Sequence, residues 1–503
     1  MTKLERTDFD LLVVGGGING TAVARDAAGR GLSVLLCERD DLASHTSSAS
    51  TKLIHGGLRY LEYYEFRLVR EALKEREVLL RAAPHIIWPM RFVLPYDEGL
   101  RPKWMLRAGL FLYDHIGGRK MLPGTETVDL REPPHVGVLE PRLTSGFEYS
   151  DCWVEDARLV VLNAVDAAAR GATVLTRTEV RDIAEAEGGF SAMIKGAGSR
   201  EHQVFARAVV NSAGPWVDEV ISKIHRGRND AGLRLVKGSH IITRRLFDGD
   251  HAYIFQNADN RVIFAIPYEQ DFTLIGTTDI PYSQVEGLPT ASDEEIAYLC
   301  EAANEYLNAD IAPSDVVHTY SGVRPLYDDK SEDASAVTRD YVLDIDLYGG
   351  RPFLSVYGGK ITTSRKLGEH VMEKLSDAFP DMGDAWTREA HLPGGDIADA
   401  DFDAFLERQA RDFPDVDRST LLRVCRAYGT LAEAILSKDL TTLSGGCLAG
   451  EAQHLIANEW ARAPEDVLWR RTKLGLHMSE AEREAFARDF ESLLRAQATE
   501  IVV

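Results

Sequence analysis

Three glycines and one acid near the start of the chain carry the plainest chemical signal. Gly15, Gly17 and Gly20 stand at G-x-G-x-x-G spacing, and Glu38 closes the next apolar run. Glycines so spaced permit a tight turn and close backbone approach to a pyrophosphate, which the free N–H groups of a following helix can bind. The acid can accept from a ribose hydroxyl. A glycine turn kept only for helix packing is the alternative. Further along stand groups suited to an anionic substrate: His55, Arg59 and Tyr60, then His240, then Arg324 in TYSGVRPL and Lys360 after Gly358-Gly359. Arginine forks and lysine point charges bind phosphate or carboxylate, and either histidine could take a hydroxyl proton near neutral pH. Singly, each cation reads first as surface charge and each histidine as a packed, hydrogen-bonded side chain. Their spacing does not encode convergence.

These groups need a scaffold. Residues 10–14 read as a short apolar strand, 21–31 as an Ala-rich helix and 33–38 as a second strand, so the glycine motif sits in the strand-turn-helix-strand context that dinucleotide binding requires. Residues 40–60 begin with small polar residues that favour turns and end near a Gly-Gly pair, a backbone that a flat ligand can approach. Residues 64–81 have ordinary amphipathic-helix spacing. A helix at 158–169 and strands at 172–177 and 205–211, ending at Ser212-Ala213-Gly214, resume the first domain. Residues 233–285 hold β-rich runs broken by Asn, Asp and Gly, which predicts an antiparallel sheet in an inserted domain. Residues 351–374 repeat the opening logic as strand, glycine turn and helix; with FAD bound, this helix start would stabilise negative charge on the reduced flavin, whereas a plain strand-to-helix turn is the alternative. Beyond Leu392 the chain reads as helices at 401–412, 418–438, 449–462 and 479–497.

Composition narrows the classes. At 503 residues, with 45% hydrophobic and 27% charged residues, the chain is long enough for two to four folded domains. A net charge of −22 has the wrong sign for a general nucleic-acid binder, so no nucleic-acid partner is expected. Five scattered cysteines indicate neither a disulfide framework nor a zinc ribbon; no metal is expected, and a reducing cytosol fits. The charged opening does not read as a signal peptide, and no apolar run is long enough to span a bilayer. Residues 101–120 carry five basic residues against one acid, interleaved with Trp104, Met105, Leu106, Leu110, Phe111 and Leu112, as in a segment lying in a membrane interface. A packed helix with a solvated basic side accounts for the same pattern. Residues 469–473, WRRTK, form a weaker second candidate.

The motifs VVGGGINGTAVARDAAGRGLSVLLCE, TSSASTKLIHGGLRYLE, MRFVLPY, GFEYSDCWVEDARLV, VNSAGPWVD, KGSHI, IGTTD, TYSGVRPL, TRDY and SVYGGKITTSRKLGEH, in that order, resemble the FAD-dependent aerobic glycerol-3-phosphate dehydrogenases over nearly the whole chain. VLWRRTK at 467–473 resembles the bacterial branch. The resemblance implies an α/β protein: a glutathione-reductase-like FAD-binding Rossmann domain, an interleaved antiparallel β substrate domain and a helical C-terminal domain. The oxidoreductase region would span 1–390, with FAD-binding segments at about 8–80, 150–225 and 335–380 and substrate-domain segments at about 81–149 and 226–334; the helical domain would span 391–503. The implied reaction oxidises sn-glycerol 3-phosphate to dihydroxyacetone phosphate and passes electrons to ubiquinone.

Carried over by position, the resemblance places Gly15, Gly17, Gly20 and Glu38 at the adenosine diphosphate half of FAD and Ser47, Ser48, Lys52 and Leu53 along the flavin. Val180, Ala213, Gly214, Gly359, Lys360 and Thr362 complete the cofactor site. Arg59, Tyr60, Arg324 and Lys360 surround the substrate, with His55 as base and His240 as the alternative. Arg324 would also stabilise alkoxide charge. The resemblance further implies a homodimer in the cytoplasm, attached peripherally to the cytoplasmic face of the inner membrane through 101–120. Two alternatives are an oxygen-dependent glycerol-3-phosphate oxidase and a non-catalytic FAD-binding membrane-associated protein. The family's oxidases usually carry an insertion before the late glycine turn, whereas only 36 positions separate Arg324 from Lys360.

Overall fold

The structure is a computed structural model that describes residues 7–97, 101–198, 200–224, 232–257, 259, 261–283, 288–328 and 340–500. The expected segment starts at 226 and 335, and the first two residues of TRDY, lie outside the described residues.

Apolar runs with no polar face build a parallel sheet covered on both sides. Val34–Cys37 is buried at every position, and Leu11, Leu12 and Val13 beside it are inaccessible. Within this eight-stranded sheet the parallel order is Arg351–Tyr357, His202–Asn211, Thr7–Val14, Val34–Cys37 and Thr173–Leu175. Val342–Tyr348 extends one edge antiparallel, and Thr178–Ala186 with Gly189–Gly196 forms a hairpin onto His202–Asn211. Helix Ile18–Gly29 packs against both Asp156–Ala169 and Ser364–Lys374. Small residues allow that closeness, since a Cβ at Gly368 would lie 2.9 Å from the Ala22 carbonyl oxygen. A buried Arg25–Asp166 ion pair of 2.6 Å fixes the first of these contacts.

The chain leaves this sheet after Val34–Cys37, returns at Thr173–Leu175, leaves again at Gly232–Arg244 and returns at Val342–Tyr348. Both excursions feed a ten-stranded sheet whose long pair is Gly232–Arg244 with Val316–Asp328. It is antiparallel except where Ala252–Gln256 meets Ile87–Pro95 in parallel. Those two strands arrive from separate excursions, so no hairpin dictates their direction.

The C-terminal region has its own core, including Phe405, Leu421, Val424, Tyr428, Leu455, Phe486 and Phe490. The single helix expected over 418–438 is instead two, Arg418–Tyr428 and Ala432–Leu436. Gly429, at φ +54°, breaks it where any Cβ would strike the Gly394 carbonyl. The helix expected over 449–462 stops at Asn458.

Residues 469–473 do not form exposed basic surface: Arg471 and Lys473 are only 1% and 7% accessible, buried against the first domain. Helix Lys103–Ile116, by contrast, leaves Trp104 70% and Phe111 65% exposed. The basic residues at and just before its start are engaged elsewhere, with Arg101 on Glu62 at 3.1 Å and Lys103 on Ser145 at 2.9 Å. No helix among the described residues is long and apolar enough to cross a membrane.

Candidate active site

The first strand ends at Val14, and Gly15, at φ +108°, turns the chain where a Cβ would lie 2.6 Å from the Ser212 carbonyl oxygen. This turn aims the start of helix Ile18–Gly29 into a cleft of about 990 Å³, its open mouth included. Gly15, Gly17, Glu38, Ser47, Val180, Ala213, Gly214 and Gly359 all line it. The Glu38 carboxylate accepts from the backbone N–H groups of Gly16 at 2.6 Å and Asp40 at 2.8 Å. Burial pushes its proton affinity up, and those two N–H groups act against the rise. The Ser47 hydroxyl accepts from the Ile18 N–H at 3.0 Å. Asn19 donates to the Gly358 carbonyl at 3.0 Å, joining the first glycine turn to the late one. The late turn leads into the short 3-10 turn Ile361–Thr363 and then Ser364–Lys374.

These residues fit an adenine dinucleotide. A Cβ at Gly17 would lie 3.1 Å from the Ser47 hydroxyl and crowd the cradle, and a buried acid waits at the end of the second strand. Asn19, His45 and Trp216 also line the cleft, with His45 and Trp216 edge to face at 4.6 Å. The motifs GGGINGT and AGPW contained Asn19 and Trp216, but side-chain direction was the missing signal.

Other expected cofactor residues are not among those lining this cleft. Gly20 packs on the Gly15 carbonyl and the Ser212 hydroxyl. Lys52, at φ +61°, turns its ammonium into a buried pair with Asp156 at 2.8 Å. Ser48 donates to the His45 carbonyl at 3.2 Å, and Leu53 pairs with Trp153 in the second sheet. Thr362 donates to the His55 carbonyl at 3.4 Å and accepts from the His55 N–H at 3.3 Å.

Two groups of expected substrate residues flank the late turn. The Lys360 ammonium lies 3.9 Å from the centre of the Tyr60 ring. His55 is held neutral, its pKa lowered to about 4 by burial and by the charges of Lys360 and Arg76. Arg59, on the neighbouring turn Leu58–Tyr63, reaches the Tyr63 hydroxyl at 3.5 Å. In the second group His240 faces Tyr320 across the long strand pair and stacks on it at 4.7 Å. Its Nε2 lies 3.0 Å from the Thr51 hydroxyl, and Nδ1 is buried with no hydrogen-bond partner among the described residues. Burial, then Lys52 and Arg324, lower its pKa to about 3. Arg324 donates to the Thr278 carbonyl at 2.9 Å and to Asp279 at 3.1 Å. Pro325, next in sequence, lines the cofactor cleft beside Gly358 and Gly359.

A glycine cradle closed by a buried acid, with cations and neutral imidazoles on the segments that adjoin it, fits a dinucleotide-dependent oxidoreductase. Residues 10–365 match the family described as FAD dependent oxidoreductase, and 385–493 match the C-terminal domain of alpha-glycerophosphate oxidase. The chain is 53% identical to D-erythritol 1-phosphate dehydrogenase of Brucella abortus, over 96% of this chain and 98% of the relative. It is 49% identical to glycerol-3-phosphate dehydrogenase of Pseudomonas aeruginosa, over 94% and 93%. The solved glycerol-3-phosphate dehydrogenase of Bacillus halodurans complexed with FAD superposes with a TM-score of 0.73 at 27% identity, covering 98% of this chain and 95% of that one. The chain belongs to the FAD-dependent aerobic glycerol-3-phosphate dehydrogenase family, and FAD is its cofactor.

Proposed function

We propose that the protein oxidises sn-glycerol 3-phosphate to dihydroxyacetone phosphate and that electrons pass on to ubiquinone in the membrane. The observation that carries this reading is the Lys360 ammonium over Tyr60, beside a neutral His55, at the turn that also lines the cofactor cleft. Bound FAD supplies the hydride acceptor. Gly15, Gly17 and Glu38 hold its adenosine diphosphate half, with Gly20 setting the turn. The backbone around Ser47, Ser48, Lys52 and Leu53 lines the flavin; Val180, Ala213, Gly214, Gly359 and Thr362 close the site.

Arg59 and Lys360 bind the phosphate and fix the orientation of the reacting carbon. Burial, then the charges of Lys360 and Arg76, keep His55 unprotonated; a phosphate dianion would offset the Lys360 part, so bound substrate itself raises the basicity of the imidazole that takes the C2 hydroxyl proton. Thr51 restrains His240 at Nε2, which makes His240 the lesser candidate for base. Arg324 stabilises alkoxide charge as it develops.

The oxidoreductase region ends near residue 390 and the helical domain follows. Trp104 and Phe111, with Tyr64 at 80% exposure, form an apolar face beside the turn bearing Arg59. That face supports peripheral attachment to the cytoplasmic side of the membrane, through aromatic insertion more than through the basic residues of 101–120. A homodimer remains part of the proposal.

A second reading takes a four-carbon polyol phosphate as substrate; the 53% identity to D-erythritol 1-phosphate dehydrogenase favours it. Anaerobic addition of sn-glycerol 3-phosphate, D-erythritol 1-phosphate or unphosphorylated glycerol, followed by oxidised-flavin absorbance, tests both. Rapid bleaching by glycerol 3-phosphate supports the first reading, bleaching by the erythritol ester alone replaces it with the second, and bleaching by neither removes both. Stoichiometric hydrogen peroxide in air would instead mark an oxidase.

A further inference from the structure

The loop 41–52 runs from just beyond the ribose acid to the expected flavin-lining residues, and its positions 43–47 all line the cofactor cleft. The first end of that loop meets two cations from the C-terminal region, and the field of a third reaches the ion pair at the second. At the first end, Asp41 is 3% accessible and receives a bidentate fork from Arg471, with NH2 to Oδ1 at 2.9 Å and NH1 to Oδ2. Arg470 adds Nε to Oδ2 at 2.6 Å. The Asp41 carbonyl in turn accepts from Ser44, a cleft residue. Arg177, which follows the strand Thr173–Leu175, donates its backbone N–H to the Asp40 carbonyl at 2.7 Å and its side chain to Asp466 at 2.7 Å. Asp466 also holds Arg470. Three arginines and two aspartates thus form one interdomain network, with neighbouring loop residues forming the cleft wall.

At the second end, Lys52 is bound to Asp156 at 2.8 Å and to the Ser48 carbonyl at 3.1 Å. Lys473, buried and donating to the Trp469 carbonyl at 2.6 Å, acts electrostatically on both members of that pair. Trp469 stacks on His318 at 4.5 Å, in the strand whose Val323 carbonyl accepts from Thr46 of the loop at 2.7 Å. The segment responsible is unusual in itself: Asp466–Arg471 is a turn of π-helix, and Lys473 has φ +81°. Such departures persist only where surrounding contacts over-determine them, and they cluster at functional sites.

We propose that Arg470 and Arg471 are positioning residues of the cofactor site, by which the C-terminal region clamps the Asp41 end of loop 41–52 and so preorganises it for FAD. A loop already ordered loses less freedom on binding, so the clamp raises cofactor affinity without touching the cofactor. The inference rests on the cofactor and not on the substrate, so a protein that binds FAD but is not reduced by either polyol phosphate leaves it standing.

The test uses the full chain, stripped of flavin and titrated with FAD by fluorescence, alongside thermal melting without FAD. Arg471→Gln is expected to weaken FAD binding at least about tenfold, or about 1.4 kcal/mol. The double variant Asp41→Asn/Arg471→Gln, which removes both partners of the clamp, is expected to bind FAD no better than Arg471→Gln, and recovery to the parent's affinity would overturn the proposal. FAD affinity within about twofold of the parent in Arg471→Gln, with only the flavin-free melting temperature lowered, would show a structural strut and overturn the proposal. Should Arg471→Gln fail to fold, Arg470→Gln carries the test, because Arg470 is partly exposed. About threefold weaker FAD binding is expected there, and unchanged binding overturns the proposal equally.

Discussion

The proposed cofactor cradle and the proposed substrate rim adjoin each other but are built on opposite plans. In the cradle the backbone approaches the ligand: Gly15 turns at φ +108°, Gly17 leaves room, and the N–H groups of Gly16 and Asp40 hold Glu38. The rim is made of long side chains on four separate pieces of chain, with Arg59 and Tyr60 on a 3-10 turn, His240 and Arg324 on paired strands, and Lys360 after a glycine turn. A backbone site fails when a side chain is added; a side-chain site fails when one is removed. Opposite substitutions should therefore separate the two functions.

The largest effect belongs to the cradle. Gly15→Val forces a branched residue into a left-handed turn against the Ser212 carbonyl, and should cost about 3 kcal/mol or more, yielding protein without flavin. Flavin content per chain after purification measures it, and a flavin-replete variant would break the contrast. Next, Arg59→Ala and Lys360→Met should keep FAD yet raise the KM for the phosphorylated substrate about 10- to 150-fold, the range of a lost charge-assisted hydrogen bond. Steady-state kinetics beside flavin titration would sharpen the comparison if only KM moves.

The effect of acid is smaller per pH unit. Burial, together with Arg158 and Arg426, lowers the His85 pKa to about 3, and His240 is lowered to about 3 as well, so both stay neutral in the fold while the unfolded chain protonates near 6.5. The unfolded state then binds more protons below pH 6.5, and stability falls by about 1.4 kcal/mol per pH unit per histidine toward pH 3. Melting at stepped pH should show that slope, reduced in a His85→Asn protein that keeps the rim intact. The smallest effect on either site comes from Trp104→Ser/Phe111→Ser, which should leave FAD affinity and KM unchanged within about twofold while moving the protein from the membrane pellet to the supernatant. Unchanged sedimentation would remove the proposed membrane face.

The cradle was legible because its parts are local: a strand, three glycines, a helix and an acid within thirty-odd positions obey one geometric rule. Even there, sequence could not show that Gly20 packs inward or that Lys52 turns to Asp156, because both depend on side-chain direction. The rim was legible by residue type alone; its assembly depends on the register between Gly232–Arg244 and Val316–Asp328. Least legible was the basic run at 469–473, which reads as surface charge until Asp41, 430 positions away, is placed against Arg471. The unbroken helix expected over 418–438 failed for a similar reason, since Gly429 answers to a distant carbonyl at Gly394.

The bond from Asn19 to the Gly358 carbonyl joins residues 339 positions apart. At about 5–20 residues per second, a ribosome delivers the two glycine turns roughly 20 to 70 s apart. The nascent chain thus displays the first half of its nucleotide cradle long before the second, and the complete cleft can close on FAD only late in synthesis.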